Sequence, residues 1–119
     1  MDESKSMEDI FMSEVSLVFV TAGNEKDALA IAEKLVEEKL VACVNVVPQI
    51  RSVFLWKGEV CREPEVLMIM KTPTSLFPSL QKRVKEIHSY EVPEIIAFPV
   101  SQGLPQYLQW VVESTEAKG

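Results

Sequence analysis

Residues 42–72 read ACVNVVPQIRSVFLWKGEVCREPEVLMIMKT, and this stretch decides the fold. β-Branched and aromatic residues crowd both sides of Lys57-Gly58, which predicts two β-strands joined by a tight turn there. Each predicted strand runs about 13 to 16 residues, against roughly 5 to 6 for an ordinary strand. At about 3.3 Å per residue the first strand alone would extend roughly 45 to 50 Å. A compact chain of this length is only about 35 Å across. The hairpin must therefore bend, protrude from its own globule, or both.

Two prolines indicate where. With Lys57-Gly58 as the turn, antiparallel partners have residue numbers summing to about 115, so Pro48 falls near Leu67 and Pro64 near Arg51. Proline has no amide hydrogen to give to a ladder and is confined to edges, strand starts and bulges. The pair predicts a break between an inner half and an outer arm that carries Ile50, Val53, Phe54, Leu55, Trp56 and Val60. A hairpin folded back over its own core is one way to shelter these side chains. The rules for exposed edges favour the other, an arm that docks on a neighbouring subunit in an obligate oligomer.

Upstream, residues 1–12 are polar and acidic and read as a flexible tail, leaving 13–119 as a single domain. EVSLVFVTA, from Glu14 to Ala22, predicts a buried strand. Asn24 can cap a following helix whose apolar face is Ala28, Ile31, Ala32, Leu35 and Val36, ending near Lys39. Downstream, Thr74 or Ser75 can cap a second helix bearing Leu76, Phe77, Leu80, Val84 and Ile87, with Pro78 tolerated in its first turn. A last strand over Glu94–Val100 precedes a short terminal helix with Leu104, Tyr107, Leu108 and Val111 on one side. The order βαββαβ plus a short C-terminal helix predicts an α+β, ferredoxin-like sandwich with a long protruding β-hairpin. Right-handed crossovers would place both helices on one face of the sheet.

Composition narrows the function classes. Hydrophobic residues make up 47% and charged residues 25%, as in an ordinary globular protein. A formal net charge of −6 argues against nucleic acid, which needs a concentrated basic face. Cys43 and Cys61 lack metal-type CxxC spacing, and the register above does not oppose them, so no disulfide is expected. The N-terminal residues carry neither signal-peptide nor membrane-anchor features, which points to a cytoplasmic protein with no membrane partner. There is no GxSxG elbow, Walker loop or HExxH, and one histidine only; an enzyme is not expected.

The segments EKLVACVN, SVFLWKGEV, EVLMIMKT, HSYEVPEII and YLQWV, in this order, resemble the divalent-cation-tolerance (CutA) family over nearly the whole chain beyond the tail. The resemblance implies a homotrimer whose hairpins reach across subunit boundaries, an architectural likeness to PII signalling proteins, and a role in tolerance to copper and other divalent metals. It implies that some animal relatives take part in acetylcholinesterase anchoring. Family members thought to bind copper use a first-strand cysteine and a His-His pair. This sequence has Val20 and Ile87 at two of those positions, and His88 alone remains as the candidate metal ligand for copper or zinc. Ser89 stands where the family usually has proline.

A second candidate set, Trp56, Lys71, Tyr90 and Glu94, matches residues recurring in the family's intersubunit clefts. A cation, a phenol and a carboxylate beside an indole can orient a small anionic ligand; equally, a Lys71–Glu94 ion pair and a seated Trp56 can simply fix an interface. Three readings follow: a metal- or ligand-binding trimer of the tolerance family, a PII-like sensor of a small molecule, and a scaffold without ligand.

Overall fold

Alternation along the strands builds one continuous core. The computed structural model describes residues 14–116, so the expected tail and the extreme C-terminus lie outside the described residues. Four strands, β1 (Val15–Ala22), β2 (Cys43–Trp56), β3 (Glu59–Pro73) and β4 (Ile95–Pro99), form an antiparallel sheet in the order β2-β3-β1-β4. Helix α1 (Glu25–Glu37) links β1 to β2, α2 (Phe77–Ile87) links β3 to β4, and α3 (Pro105–Ser114) follows β4. The α+β ferredoxin-like architecture is as the sequence predicts.

One sheet face is apolar and covered. Val18, Val20, Ala22, Val66, Met68 and Met70 pack against Ala28, Ile31 and Leu35 of α1 and Leu80 and Val84 of α2. Val20 and Ile87, the two departures from the family's copper set, belong here: Val20 is fully buried and Ile87 packs against the cluster. Asn24 caps α1 as expected, accepting a hydrogen bond from the Asp27 amide at 2.8 Å. The helix closes on a left-handed Lys39 (φ 59°), with Lys39 N bonded to Val36 O and Leu40 N to Leu35 O. These are the two bonds of a Schellman ending, with lysine where glycine is usual. Helix α2 departs from expectation. A 3-10 turn over Thr74–Leu76 leads into it with no side-chain cap, and the Thr74 hydroxyl instead meets the Ser16 hydroxyl at 2.7 Å. The 3-10 turn gives the Phe77 amide the Thr74 carbonyl and Pro78 has no amide hydrogen, so fewer first-turn amides are left for a capping oxygen to satisfy.

The hairpin reaches beyond the globule. β2 and β3 are 14 and 15 residues long, and the molecule measures 54 × 33 × 23 Å. Its radius of gyration is 16.0 Å, against about 13.5 Å for a compact chain of this length. Partners in the outer arm sum to 115, from Trp56–Glu59 to Ile50–Glu65. From Val47–Leu67 inward they sum to 114, because Pro48 and Gln49 together oppose the single residue Val66. This bulge is the break the prolines predict, with Gln49 in the left-handed region at φ 61°. It corrects the inner register by one: Cys43 faces Lys71, not Thr72.

Candidate functional site

The second sheet face is where the unsatisfied surface lies. Leu17 and Phe19 of β1, Cys43, Asn45 and Val47 of β2, Leu67, Ile69 and Lys71 of β3, and Ile96 and Phe98 of β4 share it by register. Helix α3 packs against β1 and β3 and buries Val111 completely, but Ile96 and Phe98 stay 54% and 40% exposed. The Phe19 and Phe98 rings meet edge-on, with centroids 5.0 Å apart. The outer arm is barer still: Val53, Leu55, Trp56 and Val60 are each more than half exposed. A half-open apolar sheet face together with an arm apolar on both sides far exceeds the scattered exposure of a monomer surface.

His88 caps the C-terminal end of α2 and is buried. Its Nε2 lies 2.7 Å from the Thr21 carbonyl oxygen, and its Nδ1 lies 3.0 Å from the Tyr90 amide. A carbonyl can only accept and an amide can only donate, so the ring is the neutral tautomer carrying hydrogen on Nε2. Neither nitrogen keeps a lone pair for a metal while these bonds hold. Among the described residues no group of three or more His, Cys, Asp or Glu side chains is placed to hold a metal ion. The two cysteines are free, Cys43 on the second sheet face beside Lys71 and Cys61 on the arm opposite Phe54. The described residues of one chain do not fit a copper or zinc centre.

The four cleft candidates are not brought together within one chain. Tyr90 sits beside His88, ring centroids 4.8 Å apart, and its hydroxyl donates to Glu65 at 3.1 Å. Burial, then the Glu65 carboxylate that accepts from it, push the Tyr90 phenol above its ordinary pKa. Its hydroxyl also lies where a Gly23 Cβ would come within 3.2 Å, so glycine there gives the phenol room. Lys71 lies six residues farther along β3, roughly 20 Å away, with its ammonium donating to Asn45 and near the Cys43 sulfur. Trp56 stands at the arm tip, thirteen residues along β2 from Cys43 and so roughly 40 Å from Lys71. The Lys57 ammonium lies 5.8 Å from the centre of its ring. Glu94 is exposed just before β4, and no Lys71–Glu94 ion pair forms among the described residues.

The sequence reading passed over Arg51 and Arg62. With Glu63 and Pro64 they line a cavity of about 270 Å³ on the outer arm. The signal was available: a turn at Lys57-Gly58 pairs Arg51 with Pro64 and Val53 with Arg62, which puts both arginines on one ribbon face.

The sequence model of the CutA1 divalent ion tolerance protein family matches residues 16–114. The chain belongs to this family. CutA from mouse is 52% identical over 103 residues, covering 87% of this chain, which spans only 58% of the mouse protein's length. The solved structure of the divalent cation tolerance protein Cut A1 from Thermus thermophilus superposes with a TM-score of 0.83 at 46% identity, covering 86% of this chain and 99% of that one. A periplasmic divalent cation tolerance protein CutA from Archaeoglobus fulgidus gives a TM-score of 0.83 at 39% identity, covering 86% of this chain and 99% of its own. The two solved structures thus share this fold over nearly their full length. Among the described residues no helix is long and apolar enough to cross a membrane.

Proposed function

We propose that this CutA-family chain works as a cytoplasmic homotrimer, contributing to divalent-cation tolerance through binding at clefts between subunits rather than through catalysis. The observation that carries the reading is apolar surface left open at two places: the sheet face of Phe19, Ile69, Ile96 and Phe98, and the arm, where Trp56 stands on one side of the ribbon and Val53, Leu55 and Val60 on the other. A neighbour's surface removes it from water, and Trp56, exposed at the arm tip, has the size and shape of an anchoring side chain. Assembly also accounts for the scatter of the cleft candidates. Trp56 lies far from Lys71, Tyr90 and Glu94 of its own chain, so it meets such residues only on another copy. A metal, where one is bound, takes donors from more than one subunit, since the described residues of one chain do not supply a set.

Sedimentation equilibrium tests the assembly. A mass three times that of the chain is expected, with Leu55→Glu and Phe98→Glu each lowering it. Isothermal titration of the assembled protein with copper and zinc tests the site. Binding in a fixed ratio to the trimer, lost together with the trimer in Leu55→Glu, supports the reading. A folded, stable monomer in micromolar solution refutes it.

A further inference from the structure

We infer that the outer arm carries a binding site for a small oxyanion, a phosphate or polycarboxylate, gripped between the guanidinium groups of Arg51 and Arg62. Arg51 opposes Pro64 and Arg62 opposes Val53, so the arginines are diagonal neighbours on one face of the ribbon. At that spacing, about 7 to 8 Å between backbones, two long side chains reach the same point. The cavity of about 270 Å³ opens there, lined by Arg51, Arg62, Glu63 and Pro64. Alternation turns the Glu63 side chain, with those of Glu59 and Glu65, to the opposite face. Glu63 borders the cavity, but no residue whose side chain alternates onto the arginine face is a carboxylate.

Among the described residues neither guanidinium makes a hydrogen bond or an ion pair. Arg83 differs: it donates to both oxygens of Glu38, at 2.8 and 2.9 Å. Two unneutralised guanidiniums converging on one cavity are unusual in a chain of net charge −6, where carboxylates abound to pair them. A guanidinium presents five N–H donors in a planar fork that matches carboxylate and phosphate oxygens. Pro64, without an amide hydrogen, adds an apolar wall. The volume falls just below the roughly 300 to 1,000 Å³ of sites that enclose drug-sized ligands, which suits a phosphate or a short polycarboxylate rather than a whole nucleotide. All four lining residues belong to one chain, so the site goes beyond the cleft reading, although Val53, Leu55 and Val60 on the same face are side chains that reading packs against a neighbour.

The test titrates the full chain calorimetrically, at low ionic strength, with inorganic phosphate and separately with citrate as probes. One site per chain is expected for at least one probe, and the better probe identifies the oxyanion class. Arg51→Ala and Arg62→Ala should each weaken binding about tenfold or more, the factor a lost charge-assisted hydrogen bond carries. Arg62→Lys should weaken it less, and Lys82→Ala, on α2, should leave it unchanged. Added salt should weaken it for every protein that binds. Absence of heat with both probes, or equal binding by the arginine variants, overturns the inference. A third result overturns it too: Arg51→Glu/Arg62→Glu lowers the sedimenting mass, and mixing with a Glu59→Lys/Glu63→Lys/Glu65→Lys chain restores it. The guanidiniums would then grip a second copy's acidic arm face, and the assembly reading would stand without the anion site.

Discussion

Replacing His88 by alanine separates a structural histidine from a metal ligand. The ring is 9% exposed and holds two backbone groups, the Thr21 carbonyl at 2.7 Å and the Tyr90 amide at 3.0 Å. Alanine leaves the carbonyl without a donor where little water enters, at a cost of about 1 to 3 kcal/mol. The Tyr90 amide is partly exposed and regains water, so its loss falls near the low end, about 0.5 to 1 kcal/mol. The lost ring contact with Tyr90, centroids 4.8 Å apart, adds about 0.5 to 1 kcal/mol. The sum is about 2 to 5 kcal/mol, a large share of the roughly 5 to 15 kcal/mol that holds a typical domain folded. Urea unfolding followed by circular dichroism measures it. Wild type and variant are compared at equal chain concentration, because assembly makes the midpoint concentration-dependent. A loss below about 0.5 kcal/mol refutes the reasoning, since buried backbone groups cannot lose their partners so cheaply. So does a variant of unchanged stability that no longer binds copper or zinc, for the ring would then have been a ligand.

Three further outcomes test the local chemistry. Lys39→Gly should stabilise the chain by about 0.5 to 1 kcal/mol in the same assay, because lysine occupies a left-handed position that glycine adopts without strain. Asn24→Ala should destabilise it by about 1 kcal/mol, the worth of a capping oxygen, with Asn24→Asp close to wild type. Tyr90 should ionise above an ordinary phenol in an ultraviolet pH titration, its step identified by comparison with Tyr90→Phe. Its folded pKa is raised above the unfolded one, so its contribution to stability is full below the ordinary phenol pKa. That contribution is lost as pH climbs through the raised value, and Tyr90→Phe should flatten the decline.

The turn at Lys57-Gly58, the excess hairpin length and the break near Pro48 were all legible in the sequence, since each follows from chain geometry or from proline's missing amide hydrogen. The one-residue slip in the inner register was not. It depends on Gln49 taking a left-handed backbone, and no glycine there announced it. Lys71 and Cys43 thus proved to be direct partners. His88 was found at the helix end the periodicity placed it at, but its two backbone bonds arise from β1 and from the turn after α2, which no local pattern predicts. Trp56, Lys71, Tyr90 and Glu94 were chosen by likeness to a family pattern. Strand length alone sets Trp56 and Lys71 far apart in one chain.

The bulge at Pro48 and Gln49 also acts as a parity switch. Inside it, odd-numbered residues of β2 share a face with odd-numbered residues of β3; outside it, even-numbered residues of β2 take that place. Deleting Gln49 would therefore turn Arg51, Val53 and Leu55 towards the side now held by Phe54 and Trp56, while every core residue inward of Val47 kept its place. Chain length at one point, independent of any side chain on the arm, sets which chemistry the ribbon shows to each side.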